Sequence, residues 1–434
     1  MKVVIVGGSY AGIQVAMSLR ESCPDYEILL IEKQEKIGFV PSSYPLFLKG
    51  KSAQKNSYWV TKSMIEAQYS IQIKTNTTIC KVDTENQKLI LLDESTISYD
   101  KLILATGSQQ QFAQQTKGSL LIKTVKEMNQ TDDLNEKIKQ AEKIAIVGAG
   151  QVGLELAEGL WQVGKQVDIY ESQNRMLFRY FDATFTEPLM QEIRRRGVNL
   201  FLNEQVEALE EQGEQEKILV STAQRKETYD LVLLANHTRP AKHVWSEKIK
   251  RNDDGTIWVD DYLQTSAKNV YAIGDAIQVT FRPTQEKMYV SSVSNAIRTA
   301  KLVSKTISGN PSKDLGTFRP VGNTWFEYFL GSIGLTESES IFYPHEVNIT
   351  QWTTTVSTID TTPVRIKCIC NEQNQLIGVQ IQSKENIFHL FDRFTLAIEE
   401  GWTLNQLYSH ELFFQPEYRT TDPLCKGGDS KDDA

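Results

Sequence analysis

One local grammar occurs twice in this chain of 434 residues, and it restricts the fold more than any other feature. Residues 3–6 are a continuous apolar run, as a strand buried on both faces of a parallel sheet requires. The turn Gly7-Gly8-Ser9-Tyr10-Ala11-Gly12 follows at once. Gly12, Ala16 and Leu19 then recur at the i, i+4, i+7 spacing of a helix packed on a sheet. A second apolar run, 28–31, ends in Glu32 and Lys33, with Glu32 twenty residues beyond Gly12. The pattern returns at 144–147, a buried strand followed by an intact Gly148-x-Gly150-x-x-Gly153. Leu156, Leu160 and Val163 mark the apolar face of the helix, and the run 167–170 ends in Glu171, eighteen residues after Gly153. A single G-x-G-x-x-G arises often by accident. Two of them, each between a strand and a helix and each followed by an acid at ribose distance, define two βαβ dinucleotide units.

Such units specify their ligand class. Backbone N–H groups at a helix start hold a pyrophosphate, and glycines let phosphate approach with no Cβ in the way. In the first turn the middle position is Ser9, which keeps the turn close and adds a hydroxyl donor. Glu32 and Glu171 each stand where a carboxylate accepts hydrogen bonds from two ribose hydroxyls and repels a 2′-phosphate, so the second site is expected to prefer NADH to NADPH. Arg175, four residues past Glu171, either weakens that preference or is a salt-bridged or exposed side chain. Hydride leaving a nicotinamide needs an acceptor within contact distance, and a flavin explains why one chain carries two dinucleotide sites. Two further segments point to FAD. Residues 99–107 place a Thr106-Gly107 turn after a buried strand, and residues 265–275 do the same with Asp275, an acid suited to ribityl hydroxyls.

Beyond about residue 320 the style changes. The β-rich runs 364–370 and 376–382 are split by the polar stretch 371–374, a hairpin signal. Ile387, Phe391, Phe394 and Ile398 mark a helix that stops at Gly401. Thr403 and Gln406 read as a capping box, flanked by Trp402 and Leu407 as a hydrophobic staple. This is a third, α+β unit, and the polar tail 426–434 reads as disordered. Cys368 and Cys370 fall on one face of the hairpin strand as two small hydrophobes. With Cys23, Cys80 and Cys425 they make an odd set of five with no metal spacing. His237, His243, His345, His389 and His410 are equally unpaired, so no metal is expected and a reducing cytoplasm fits. The 47 basic and 55 acidic residues leave a net charge of −8, against nucleic acid or an anionic membrane as partner. The longest basic run, Arg194-Arg195-Arg196, reads as the solvated end of a helix. Apolar runs are too short for a transmembrane helix, and Met1 and Lys2 lead straight into the first strand, so no secretory signal is expected.

The paired turns, Ala105-Thr106-Gly107 and the 265–275 segment together resemble the two-dinucleotide-fold flavoproteins of the pyridine nucleotide-disulfide oxidoreductase superfamily. The branch of NADH oxidases, NADH peroxidases and coenzyme A disulfide reductases is similar over nearly the whole chain. Residues 37–48 fall where that branch has its redox-cysteine helix, and 412–416 resemble its C-terminal interface signature. The resemblance implies an α/β chain with two Rossmann-like domains and a C-terminal α+β dimerisation domain. FAD binding falls on 1–114 with 239–316, NAD binding on 115–238, and a homodimer interface on 317–425. FAD-binding roles fall on Gly7, Ser9, Gly12, Glu32, Thr106 and Asp275, with Ser292 and Val293 near the flavin ring. NAD-binding roles fall on Gly150, Val152, Gly153, Glu171 and Tyr180. Glu155, two residues past Gly153, is either a contact to the nicotinamide amide or a flavin-linked lysine, or an ordinary acid near a helix start.

Departures from the branch are as informative. Its redox cysteine aligns with Ser42, and an alcohol forms neither a sulfenic acid nor a mixed disulfide. The histidine of its first turn is Tyr10, the tyrosine after its second turn is Gln151, and Asn236-His237 replaces a glycine-containing turn. Ser42 and Ser43 either donate to the flavin edge or cap a helix starting near Tyr44, with Pro45 in its first turn. His410 and Cys425 stand near the interface segment, as a proton donor or a hydrogen-bonding side chain and as a replacement thiol or an incidental one. The expected activity is an FAD-dependent NADH oxidase that passes electrons to dioxygen and releases hydrogen peroxide. The alternatives are an NADH-dependent reductase of a quinone, small molecule or small redox protein, and a non-enzymatic NADH-responsive flavoprotein.

Overall fold

The computed structural model describes residues 1–53, 57–110, 119–125, 131–213, 216–236, 238–240 and 246–418, and the chain divides into two compact units. The first is Met1–Glu136, Asn236–Thr280 and Lys287–Gly316; the second is Lys137–Ala235, Phe281–Glu286 and Thr317–Ala434.

The first unit is built on a parallel sheet in the order Val270–Ala272, Lys101–Leu104, Lys2–Val6, Glu27–Ile31, Gln72–Lys74. Its strands are nearly all apolar because both faces are covered, and Val3, Val4 and Ile5 have no exposed surface. Helix Tyr10–Ser22 buries Gly12, Ala16 and Leu19, the stripe expected from the sequence. The strand order reverses beside Lys2–Val6, so the crevice at the carboxyl ends of Lys2–Val6 and Lys101–Leu104 is where a ligand of such a sheet sits. Ile79–Asp83, Lys88–Leu91 and Thr96–Ser98 add an antiparallel meander.

The second unit repeats the plan. Four of its strands run parallel in the order Asn199–Phe201, Gln166–Tyr170, Lys143–Val147, Leu231–Leu234, and Ala208–Gln212, Lys217–Ser221 and Lys226–Tyr229 form its meander. It also contains an antiparallel sheet in the order Val321–Trp325, Tyr328–Gly334, Leu376–Ser383, Pro363–Cys370, Asn348–Thr355. Helix Phe388–Glu399 buries Phe391, Phe394 and Ile398. Gly401 ends that segment at φ +68°, and Thr403 and Gln406 form the expected capping box on Leu404–Ser409. Cys368 and Cys370 lie buried on one strand of the hairpin, and burial pushes the Cys370 thiol up to about 11. The expected α/β architecture with parallel sheets is the one observed.

Two local expectations need correction. Val163 does not join the buried face of its helix; it follows the last turn and is 47% exposed. Arg196 is not solvated. Helix Ala183–Arg195 does end in Arg194 and Arg195 with Arg195 exposed, but the Arg196 side chain is 9% exposed, paired with Glu192 and Glu327, and lies over the Trp161 ring at 4.8 Å. Its stem is packing, which three adjacent arginines in a sequence do not reveal. Among the described residues no helix is long and apolar enough to cross a membrane. His237, His243, Cys425 and the tail 426–434 lie outside the described residues.

Candidate dinucleotide sites

Both glycine turns adopt one local structure. Gly7 has φ +115° and Gly148 φ +110°, in a region that disfavours any side chain. Their N–H groups donate to the end of the neighbouring strand, Gly7 to Ile31 O and Gly148 to Tyr170 O, each at 2.8 Å. A Cβ on Gly12 would stand 1.9 Å from Gly7 O, and a Cβ on Gly153 1.9 Å from Gly148 O, so each helix start touches its strand only because those positions are bare. Neither Ser9 nor Gly150 supplies a side-chain cap to its helix. The first-turn N–H groups are thus left for an anion, and space around the Gly150 α-carbon is open.

The two acids are held alike. Glu32 accepts from Gly8 N at 2.6 Å and from Gln34 N at 2.9 Å. Glu171, 8% exposed, accepts from Ala149 N and Gln173 N, both at 2.9 Å. Each carboxylate is tied to its own turn and strand end, which fixes it beside the helix start. A carboxylate oxygen accepts more than one hydrogen bond, so capacity remains for ribose hydroxyls. Lys33 follows Glu32 as an exposed side chain.

In the first unit the other expected FAD residues converge on this turn. Ala105 donates its N–H to Val6 O at 2.8 Å, and its own carbonyl would meet a Cβ on Gly7 at 2.2 Å. Thr106 is exposed, and Gly107 continues the loop at φ +65°. Ser108 then donates to Asp275 at 2.9 Å and Ser291 donates to the same oxygen at 2.5 Å. Gly274 packs its α-carbon toward Ala11 at the start of the first helix. Ser292 caps helix Val293–Ile307 by accepting from Asn295 N, and Val293 is 42% exposed. Sequence reasoning missed Tyr289. Its ring lies under the Arg239 guanidinium at 4.7 Å, and burial, with the Asp275 charge adding to it, pushes its phenol up to about 12.

Gly38 is joined to the same turn, and Trp59 to Gly38. Gly38 N donates to Gly8 O at 2.7 Å, and Trp59 N donates to Gly38 O at 3.0 Å. Tyr10 stacks on Trp59 with centroids 5.4 Å apart and rings 4° from parallel, and burial raises its phenol pKa. Ser42 is exposed and precedes helix Ser43–Leu48 without making a side-chain cap, so the capping role is not seen. Ser43 is 4% exposed, and among the described residues its buried hydroxyl has no hydrogen-bond partner.

In the second unit Val152 lies in the first turn of helix Gln151–Gln162, and Gln151 O accepts from the Trp325 indole at 3.2 Å. Glu155 is 7% exposed and accepts from Asn323 at 2.5 Å, so it is bonded to the antiparallel sheet and is no simple helix-start acid. Tyr180 lies under Arg319, 5.5 Å from its guanidinium, which is paired with both oxygens of Glu339. Arg175 donates to Phe178 O and to the Ser338 hydroxyl; among the described residues it has no carboxylate partner. His410 stacks on Trp402 at 4.3 Å. Among the described residues no group of three metal-ligating side chains is placed to hold an ion.

Two carboxylate-anchored glycine turns on parallel sheets, one with Asp275 beside it, define a protein of two dinucleotides, and the residues present fit FAD and a nicotinamide nucleotide. Residues 1–300 match the family model described as pyridine nucleotide-disulphide oxidoreductase. Over 433 residues the chain is 28% identical to an NADH oxidase of Enterococcus faecalis, covering 96% of each chain. It is similar to the crystal structure of a pyridine nucleotide-disulfide family oxidoreductase from Enterococcus faecalis, with a TM-score of 0.86, 30% identity and coverage of 97% and 96%. It is also similar to the water-forming NADH oxidase from Lactobacillus brevis bound to NADH, with a TM-score of 0.90, 25% identity and coverage of 98% and 96%. The chain belongs to the pyridine nucleotide-disulphide oxidoreductase family. It is an FAD-dependent oxidoreductase of NAD(P)H.

Proposed function

We propose that this chain is an NADH oxidase with the overall reaction NADH + H⁺ + O₂ → NAD⁺ + H₂O₂. FAD, when bound, supplies the two-electron exchange between nicotinamide and acceptor. The observation that carries the peroxide product is the serine at position 42. Of the described cysteines, Cys23 is buried at the end of the first helix, Cys80 is exposed on the first meander, and Cys368 and Cys370 are buried in the antiparallel sheet. None follows the first turn as Ser42 does, so no thiolate is offered there to cleave an O–O bond. Tyr10, whose phenol pKa burial raises above its ordinary value, and Ser42 are assigned as hydrogen-bonding groups at the acceptor. The first turn, Glu32, Thr106 and Asp275 are assigned to FAD. The second turn, Glu171 and Tyr180 are assigned to NADH, with Glu155 at the nicotinamide amide. The test is the peroxide yield per NADH, argued in the Discussion.

A second reading, reduction of a flat aromatic acceptor such as a quinone, is favoured by the Tyr10–Trp59 stack, whose Trp59 is 36% exposed. Rapid anaerobic NADH consumption with a soluble quinone, beside slow consumption in air, would select it.

The assignment of Glu171 carries an expected preference for NADH. Glu171→Ala should lower kcat/KM with both nucleotides, because the Ala149 and Gln173 N–H groups lose their acceptor, yet raise the NADPH to NADH ratio about tenfold or more, equivalent to ~1.4 kcal/mol. Equal kcat/KM for the two nucleotides in the unmodified enzyme would remove Glu171 from the ribose site.

We also propose the functional division into FAD-binding 1–114 with 239–316, NAD-binding 115–238 and dimerisation 317–425 segments. Phe413 and Phe414, 64% and 54% exposed, beside Leu412 and Tyr418, form an apolar surface suited to a second copy of the chain. Light scattering at micromolar concentration should return twice the chain mass; a monomer there would overturn the dimer.

A further inference from the structure

We infer that Lys367 and Gln380 are positioning residues for the nicotinamide dinucleotide and act through Asp182. The inference rests on the assignment of the second glycine turn and Tyr180 to that nucleotide.

Segment 177–182 leaves the end of the Glu171 strand and must return past the turn. Leu177, at φ +53°, donates its N–H to Ala149 O at 3.0 Å, the carbonyl of the residue whose N–H holds Glu171. Tyr180 N and Phe181 N both donate to Leu177 O, a tight loop that places Tyr180 two residues before Asp182. One end of this loop is therefore fixed on the glycine turn itself.

Asp182 fixes the other end on the antiparallel sheet. Its carboxylate is 6% exposed as a residue and accepts from Gln380 Nε2 at 2.6 Å and from the Ser338 hydroxyl at 2.7 Å. It accepts further from the Ser338 and Glu337 backbone N–H groups at 3.0 and 3.1 Å and from Lys367 Nζ at 3.2 Å. Its own N–H donates to Gln380 Oε1 at 2.9 Å, so one glutamine amide reads both the backbone and the side chain of Asp182. Lys367 and Gln380 are 2% and 1% exposed, and the ammonium is shared with Glu337 at 2.6 Å.

A buried ion pair is weak evidence for stability, since apolar residues of similar volume hold two layers together as well or better. What this network adds is geometry. A carboxylate with five donors has one arrangement that satisfies them all, and an apolar contact tolerates small slides. The Ser338 hydroxyl that donates to Asp182 also accepts from Arg175, so the network grips the Glu171–Tyr180 connection at a second point. Removing the Lys367 charge takes one of the five donors from Asp182 and should loosen the loop that carries Tyr180.

The experiment measures NAD⁺ affinity calorimetrically on FAD-loaded protein, together with flavin content and melting temperature. Lys367→Met should weaken NAD⁺ about tenfold with flavin content unchanged, and Lys367→Arg, which retains the cation, should recover affinity to within about threefold. Should Lys367→Met not accumulate as folded protein, Gln380→Leu keeps the ion pair, removes both amide bonds to Asp182, and should weaken NAD⁺ about fivefold. A purely structural network would lower the melting temperature and leave the affinity in place. Affinities within twofold of the unmodified protein, alongside clear weakening in Glu171→Ala, would overturn the inference and leave the site standing. No weakening in Glu171→Ala would instead remove the site assignment beneath it.

Discussion

Gly153→Val should abolish reduction by NADH, with kcat/KM down at least about a hundredfold, in a protein that keeps its FAD. A Cβ at Gly153 would stand 1.9 Å from Gly148 O, a backbone atom that cannot swing aside as a side-chain tip can. Moving it disturbs the Gly148 N–H bond to Tyr170 O and the first turn of helix Gln151–Gln162, including Leu154 N to Gly150 O at 3.0 Å. Overpacking of this kind costs about 1–3 kcal/mol, and a displacement of roughly 1 Å in a positioning element costs about a hundredfold in rate. The turn assigned to FAD is a separate βαβ element in the other compact unit, so the flavin spectrum and reduction by dithionite should be normal. Gly12→Val, which meets Gly7 O at the same 1.9 Å, should instead yield protein without flavin. Prompt bleaching of Gly153→Val by stoichiometric NADH would show that the second turn is not the nucleotide site.

These two turns were legible because their information is local. The strand run, glycine spacing and ribose-distance acid lie within about thirty residues, and each has one physical reason to exist. The capping box at Thr403 and Gln406 and the paired Cys368 and Cys370 were readable for the same reason: cap chemistry and strand period are short-range rules. The Asp182 network was not readable. Asp182, Lys367 and Gln380 are lone polar residues separated by up to 198 positions, and only the packed sheet reveals that they share one set of hydrogen bonds. Arg196 misled because a basic run looks the same whether its stem is solvated or stacked on Trp161. The sequence places Ser42 and Ser43 side by side without distinguishing their surroundings. The exposed Ser42 makes no cap, and the neighbouring Ser43 carries the buried unpaired hydroxyl.

The peroxide yield decides the chemistry assigned to position 42. With serine there, anaerobic titration of the purified enzyme should consume one NADH per chain, two electrons, and not the four expected of a flavin with a redox-active cysteine. Admission of air should then release nearly one hydrogen peroxide per NADH. Serine has neither a low-pKa nucleophile to attack an O–O bond nor a sulfur to retain the transferred oxygen, so peroxide formed at the site has no protein group to consume it. The described thiols do not substitute. Burial pushes the Cys370 thiol up to about 11 and raises the Cys368 thiol well above its ordinary value, which leaves both protonated and unreactive at neutral pH, while Cys80 lies exposed on the first meander. Ser42→Cys restores only the sulfur and leaves Tyr10 in place of a histidine, so the expected gain is partial: peroxide yield per NADH should fall well below one without reaching zero. Uptake of four electrons by the unmodified enzyme, or oxygen consumed with no free peroxide, would mean that another thiol serves the acceptor, and the peroxide-forming oxidase proposed here would be wrong.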